Sequence, residues 1–430
     1  MTMMRSKAFF GMGQPRMEYT PVPPRIDRPE SIRPAGPVTL LHLRPPEAKA
    51  IPNIKVGDTV KTGQKLSLYG NGDYVTSSVT GAVSALAPFP GSFGRNYTAI
   101  SIAPAPAEEH DDGLLAVHQA PSLATAWDFL AAIPGLPGLQ RLNDADRPLK
   151  TLVVCGVDQD LLVFTQQYVL AARSHDVQTG IRMLQKITGI EEAVILTRRE
   201  AVQGYGGHSV GRVMGVDHRY PSATPQLVMA ALFGREVPAG RTCEDLGYCF
   251  MSAEAVASIG AAFRTGRVPV NKLLTVIPKD EVARLAEAPI GTPVGDVLNR
   301  FGTAAGPGDR IVAGGPMRGR ALFSLDYPVQ PDTDAFMVLD AAAAAHSSDY
   351  PCINCGDCVR VCPARMQINL LVRYLEAGKY ADAEESYDLN SCVECGLCSY
   401  VCVSKIPIFQ YIALAKHELA RMRSMEPLNA

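Results

Sequence analysis

The chain has 430 residues, with 20% charged and 47% hydrophobic side chains and a formal net charge of −2. That length predicts two to four domains, each large enough to bury a core. The near-neutral balance gives no electrostatic support to a nucleic-acid role. No run of about 18 consecutive apolar residues is present, so no membrane-spanning helix is expected. The opening MTMMRSKAFFGMGQPR lacks the apolar core of a secretory signal. The expected setting is therefore a reducing one, where clustered cysteines argue for metal over disulfides.

In chain order, residues 1–35 are rich in Pro, Arg and Met and lack periodicity, the pattern of an extended arm. Residues 36–105 alternate apolar and polar positions between Gly, Asp and Asn turns, which predicts short β strands. The segment resembles the barrel-sandwich domain of lipoyl and biotinyl carriers. Its candidate hairpin tip, Val79 to Ala82, has no lysine to modify, so a structural role is expected. An acidic link, APAPAEEHDDG, follows.

Residues 114–265 alternate helical and buried-strand patterns. LKTLVVCGVD and EEAVILTRRE read as parallel strands flanking a helical stretch, a βαβ unit. Within it GYGGHSVGRVMG is Gly-rich; it reads as a loop, with Arg212 as the natural partner should it take a phosphate. Residues 266–345 predict a small β-rich unit, with VNKLLTVIP as a strand and RIVAGGPMRG as a strand entering a Gly-rich turn. MVLDAAAAAHSS reads as a linker or a packed small-residue helix. Residues 346–422 turn helical around two cysteine runs, through QINLLVRYLEAGKYADAEES and IPIFQYIALAKHELARM. The fold class expected is multidomain α+β.

Eight of the eleven cysteines lie in those two runs. Cys352, Cys355, Cys358 and Cys362 follow C-x2-C-x2-C-x3-C, with Pro363 next. Cys392, Cys395, Cys398 and Cys402 repeat the spacing, with Val403 in the proline's place. Three cysteines two residues apart let a tight loop wrap three corners of an iron–sulfur cubane; the fourth ligates the other cluster in two-cluster proteins. Cys352, Cys355, Cys358 and Cys402 are thus assigned to one [4Fe–4S] cluster, and Cys392, Cys395, Cys398 and Cys362 to a second. Zinc is the competing reading, but its paired C-x2-C knuckles rarely carry a third cysteine two residues on. Gly356 and Gly396 follow the second cysteine of each run, where the loop must curl. Cys155, Cys243 and Cys249 read as core residues, and the eight histidines show no metal-ligand pairing.

The order of these units resembles the C subunit of the Rnf ion-translocating electron-transport complex, which is related to the flavin subunit of respiratory complex I. The resemblance is carried by HRYPSATPQLVMAALFGREVPAG, by VNKLLTVIP through SKIPIFQY, by DYPVQPDTDAFMVL, and more loosely by RPPEAKA. It implies a barrel-sandwich domain (36–105), an α/β domain (114–265), an SLBB-like β-grasp domain (266–345) and an all-α two-cluster ferredoxin module (346–422). It also implies a peripheral subunit on the cytoplasmic side of the membrane, partnered by other subunits of the complex and by a redox protein donor or acceptor.

In the family a glycine-rich loop before the α/β domain cradles FMN phosphate, and a lysine follows. Here that stretch is AAIPGLPGLQRLNDADRPLK, with Gly135, Gly138 and Lys150 at the candidate positions. Pro134 and Pro137 remove amide donors where the phosphate needs them. Asp158 and Asp160 stand where the family has carboxylates, while Cys155 takes an asparagine's place. The expected function is electron transfer through two clusters. The alternatives are a full NADH dehydrogenase subunit with FMN, and a docking scaffold with structural clusters.

Overall fold

The computed structural model describes residues 15–21, 28–45, 52–70, 72–143, 148–205, 210–344, 347–348 and 350–425. Most of the N-terminal arm, most of RPPEAKA and the centre of GYGGHSVGRVMG lie outside them.

A four-stranded antiparallel sheet runs Val38–Leu43, Asn96–Pro104, Gly81–Pro90, Thr59–Val60, and a small hairpin pairs Lys65–Leu66 with Val75–Thr76. Alternation places Val38, Leu40, Val83, Ile100 and Ile102 on its buried face. Ile290, from a later unit, packs into the same core, and Ser78 Oγ donates to its carbonyl at 2.5 Å.

A four-stranded parallel sheet follows, in the order Arg212–Val216, Glu192–Arg198, Thr151–Cys155, Tyr248–Ser252. Every residue of Thr151–Cys155 is buried, as the uninterrupted apolar run requires of a central parallel strand. The helices Ser174–Thr188 and Ala253–Thr265 cross on paired glycines. A Cβ on Gly180 would meet the Val256 carbonyl oxygen at 1.9 Å, and one on Gly260 that of Asp176 at 2.0 Å. Ser252 caps the second helix by accepting the Ala255 amide at 3.1 Å.

The third unit is a mixed six-stranded sheet. Its order is Glu30–Ser31, Arg284–Pro289, Asn271–Ile277, Ala335–Leu339, Arg310–Ala313, Arg320–Ala321. The N-terminal segment thus supplies an edge strand far from its place in sequence. The alanine-rich stretch after Leu339 forms turns, not a helix, over its described part: Asp340 accepts the Ala343 and Ala344 amides.

Residues 351–425 form the helical module. Ile368–Glu376 and Tyr380–Tyr387 break at Gly378, and Ile408–Met425 closes the unit. Ile368, Leu371, Val372, Leu375, Ile412 and Leu419 form its core. Among the described residues no helix is long and apolar enough to cross a membrane.

Candidate functional site

The two cysteine runs adopt the same backbone twice. Asn354 and Glu394 have φ of 58° and 55°, Gly356 and Gly396 of 78° and 76°, and Arg365 and Lys405 of 56° and 57°. Each run curls through a left-handed glycine into a five-residue helix, Asp357–Val361 or Leu397–Val401, and leaves it at the fourth cysteine. Asn354, Glu394, Arg365 and Lys405 adopt the same left-handed region without glycine's freedom, so the tertiary fold holds the curl in place.

Cys352, Cys355, Cys358 and Cys402 line one small cavity, closed by Ile406 and Ile408. The structure thus brings the fourth cysteine of the second run to the first three of the first. Burial pushes the Cys358 thiol up to about 12, and Cys355, Cys352 and Cys402 add to the shift. On the other side, burial raises Cys398, and Cys392 and Cys395 add to it. Burial also raises Cys395, with Cys362 among its charged neighbours. Cys392 is pushed up to about 11 by burial, against the pull of Lys416. Thiolates gathered in such surroundings need a compensating cation, which bound iron supplies.

Among the described residues no three His, Cys, Asp or Glu side chains close around a single metal ion. The ring spreads its sulfurs round a cavity, an arrangement that fits a cage of iron and sulfide. Cys355 is exposed, whereas Cys395 and Cys398 are buried. The first ring thus reaches the surface at Cys355, although its Cys358 is buried, and Cys395 of the second shares a buried cluster with Val153 and Leu196 of the parallel sheet.

Around the second ring lie residues that spacing does not reveal. The Tyr220 hydroxyl donates to the Cys395 carbonyl at 2.5 Å. Lys416 Nζ donates to the Cys392 carbonyl at 2.8 Å and meets Glu394 Oε1 at 2.7 Å. Tyr19, from the N-terminal segment, packs edge-on against Tyr220 with ring centroids 5.6 Å apart. Burial pushes the Tyr19 and Tyr220 hydroxyls well above the ordinary phenol range, so both stay protonated.

A cavity of about 860 Å³ opens at the carboxyl ends of Thr151–Cys155 and Tyr248–Ser252, against the turn Gly314 to Gly319 and the segment Asp332 to Asp334. This is where open α/β sheets bind ligands. Asp158 and Asp160 line it. Asp158 accepts from the Gln166 amide at 2.8 Å and from the Gln167 side chain at 3.3 Å. Burial pushes its carboxyl up to about 7, with Asp334 contributing. Asp160 accepts the backbone amides of Leu161, Met317 and Arg318 at 2.7, 3.0 and 2.8 Å. Its oxygens thus tie the α/β unit to the turn of the third sheet.

Beneath the cavity lies a buried ion pair. Lys272 and Glu254 are both fully buried; Lys272 also donates to Asp334 at 3.2 Å and to the Leu273 carbonyl at 2.7 Å. Burial pulls the lysine down, but Glu254 and Asp334 outweigh it and keep the ammonium charged. Gln166 Nε2 joins the network by donating to Asp334 at 3.0 Å.

Gly135, Gly138 and Lys150 are not among the cavity's lining residues. The Gly135 amide donates to the Pro331 carbonyl at 2.7 Å, and the Leu136 amide to the Ile133 carbonyl at 3.0 Å. With prolines at 134 and 137, the described part of this loop does not fit the phosphate end of FMN. Residues 144–147 of the same stretch lie outside the described residues. Cys155, Cys243 and Cys249 are buried, Cys155 and Cys243 in the wall of this cavity, and burial pushes each thiol up to about 12, which keeps it protonated.

Comparison with known proteins agrees with this layout. Residues 134–261 match the Nuo51 FMN-binding domain and residues 351–406 the 4Fe–4S dicluster domain. The second match and the clustered cysteines support two [4Fe–4S] clusters as cofactors. The C subunit of the ion-translocating oxidoreductase complex of Pseudomonas aeruginosa is 30% identical over 407 residues, covering 87% of this chain and 51% of that protein. The C subunit of the Na(+)-translocating ferredoxin:NAD(+) oxidoreductase complex of Acetobacterium woodii is 26% identical, covering 80% of this chain and 82% of that one. The C subunit of the ion-translocating oxidoreductase complex of Rhodobacter capsulatus is 26% identical, with 88% and 77% covered. The chain thus spans about half the length of the Pseudomonas protein and about four fifths of the other two. A crystal structure of NAD+-reducing [NiFe]-hydrogenase in the H2-reduced state is similar at a TM-score of 0.44 and 14% identity, over 76% of this chain and 73% of that one. The chain is a relative of the C subunits of ion-translocating oxidoreductase complexes.

Proposed function

We propose that this protein is an electron-transfer subunit of a membrane-associated Rnf-type ion-translocating oxidoreductase complex. The single observation that carries the proposal is the exchange of cysteines between the runs. Cys402 joins Cys352, Cys355 and Cys358 round one cavity, and Cys362 lies in electrostatic reach of Cys395. The first four would hold one [4Fe–4S] cluster; Cys392, Cys395, Cys398 and Cys362 would hold the other. Each cluster, when bound, takes up and releases one electron. The chain's own part is to hold the two rings back to back through the short helices, with one ring at the surface and one against the α/β unit.

In this reading the chain has the domains of the family: a lysine-free barrel-sandwich domain over 36–105, an α/β domain over 114–265, an SLBB-like β-grasp domain over 266–345 and the ferredoxin module over 346–422. It sits on the cytoplasmic side of the membrane, with its ion-conducting partners in other subunits. A redox protein delivers or removes electrons at the exposed first ring.

A second reading, an NADH dehydrogenase subunit with FMN, is favoured by the 860 Å³ cavity and the match over 134–261. The amide use at Gly135 and Leu136 weighs against it. NADH added to the anaerobically purified protein separates the two. Under the first reading dithionite bleaches the cluster absorption and NADH does not. Rapid bleaching by NADH, together with a flavin spectrum, supports the second reading and sinks the first.

A further inference from the structure

The two cysteine runs repeat one backbone at the 40-residue offset from Cys352 to Cys392, so each position in one has a counterpart in the other. In the second run the rest of the chain covers the outer face. Val393, Cys395 and Leu397 are buried in one cluster with Val153, Leu196 and Met317, and Tyr400 packs against it. Gly396 lies so close to Met317 that a Cβ there would come within 2.3 Å of its carbonyl oxygen. The Tyr220 hydroxyl donates to the Cys395 carbonyl.

The counterparts in the first run stand open. Ile353 is 65% exposed, where Val393 is 8% exposed. A Cβ on Gly356 would meet only the mobile end of Arg360, at 3.3 Å, and that guanidinium also donates to the Cys355 carbonyl. Where the covered face carries Leu397 and Tyr400, the open face carries the ion pair of Asp357 and Arg360. Tyr350, 72% exposed, adds to its apolar part. Two contacts hold the Tyr350 segment at the ring's edge. Ser404 Oγ donates to the Pro351 carbonyl at 3.3 Å, and the Ser348 amide to the Lys405 carbonyl at 3.0 Å. Ile353 also lines the first ring's cavity, so a protein that covers this side chain lies over the ring.

The contrast between the two faces indicates what covers the open one. The covered face is apolar throughout, like a domain core. Ile353 and Tyr350 instead form a small apolar centre beside a charged pair, as in redox complexes that form and part.

We propose that the face around Ile353 and Tyr350 docks a mobile one-electron carrier protein, which covers the first ring transiently as the α/β unit covers the second permanently. The proposal rests on the electron-transfer reading and on a cluster in the first ring. The carrier presents an apolar patch over its own redox centre, with polar groups around it to meet Asp357 and Arg360. On docking, one electron passes between the two centres. One centre is oxidised as the other is reduced, and no bond or proton is exchanged.

The test is anaerobic stopped-flow reduction of the full chain by three donors: a reduced bacterial ferredoxin, a reduced flavodoxin and dithionite. Iron and acid-labile sulfide are counted first, and a wild-type count below two clusters sinks the electron-transfer reading, separately from the docking face. In Ile353→Ser the second-order rate with at least one carrier is expected to fall about tenfold, the scale of one truncated apolar anchor. The rate with dithionite, which needs no docking face, is expected to stay. Should Ile353→Ser assemble fewer clusters, Tyr350→Ser decides, with the same pattern expected. Carrier rates unchanged in Tyr350→Ser, or dithionite slowed as much as the carriers, overturn the proposal. So does a wild-type chain that dithionite reduces and neither carrier does. Sedimentation of the wild type checks the other occupant: a dimer that Ile353→Ser takes apart puts a second copy on this face and overturns the proposal as well.

Discussion

Tyr220 and Cys395 are 175 residues apart in sequence, yet the phenol of one donates a 2.5 Å hydrogen bond to the carbonyl of the other. Both are buried, and the bond fixes the loop carrying two ligands of the second ring. Tyr220→Phe leaves that carbonyl without its donor, at a cost of about 1–3 kcal/mol. The expected outcome is faster loss of visible cluster absorption in air, with near-wild-type iron content at the moment of isolation. An unchanged bleaching rate would show that the bond does not hold the loop.

The buried pair of Lys272 and Glu254 gives a larger effect. Lys272→Met strands Glu254 in a fully buried position. Breaking a buried pair in this way costs about 3–5 kcal/mol. Urea unfolding followed by circular dichroism should show the midpoint fall sharply. Adding Glu254→Gln to Lys272→Met should recover part of the loss, since the uncompensated charge is gone.

Asp158 makes stability depend on pH. Its carboxyl is raised from 3.8 to about 7 in the folded chain by burial. A raised carboxyl favours the protonated form in the folded state. Its stabilising contribution is full below about pH 4 and is lost as pH rises through about 7. Asp158→Asn should therefore lose little stability at pH 5 and should flatten the decline between pH 5 and pH 7.5. Urea midpoints at those two pH values, for both proteins, check the sign.

The glycine crossing of the two α/β helices is tested by Gly260→Ala. The new methyl would meet the Asp176 carbonyl oxygen at 2.0 Å, and backbone cannot swing aside as a side chain does. Overpacking of this kind costs about 1–3 kcal/mol, against a small gain from helix propensity. A lower thermal midpoint is expected, with the cluster spectrum unchanged because the helical module lies elsewhere.

The cysteine runs were legible because cluster ligation is a local pattern: their spacing and glycines carry the chemistry on one stretch of chain. Asp158 and Asp160 were named from their place after a buried parallel strand, and both line the cavity at that strand's end. Gly135 and Gly138 were named from a loop whose amides turn out to serve other carbonyls, and Lys150 is exposed away from the cavity. Tyr220 and Lys416 carry no ligand pattern in sequence that would tie them to the cysteines. Each meets the second ring only through the tertiary fold, and each lies in a segment whose local pattern is that of an ordinary turn or helix. Lys272 likewise reads as the polar position of a strand. Only the burial of Glu254 opposite it makes it a fully buried cation.

The central claim is that this chain carries two clusters and conducts electrons without a flavin of its own. Iron, acid-labile sulfide and flavin content of the anaerobically isolated full chain test it most directly. Two [4Fe–4S] clusters per chain require about eight iron and eight sulfide, and flavin is expected to be absent. Stoichiometric flavin, zinc in place of iron, or iron for a single cluster would contradict it.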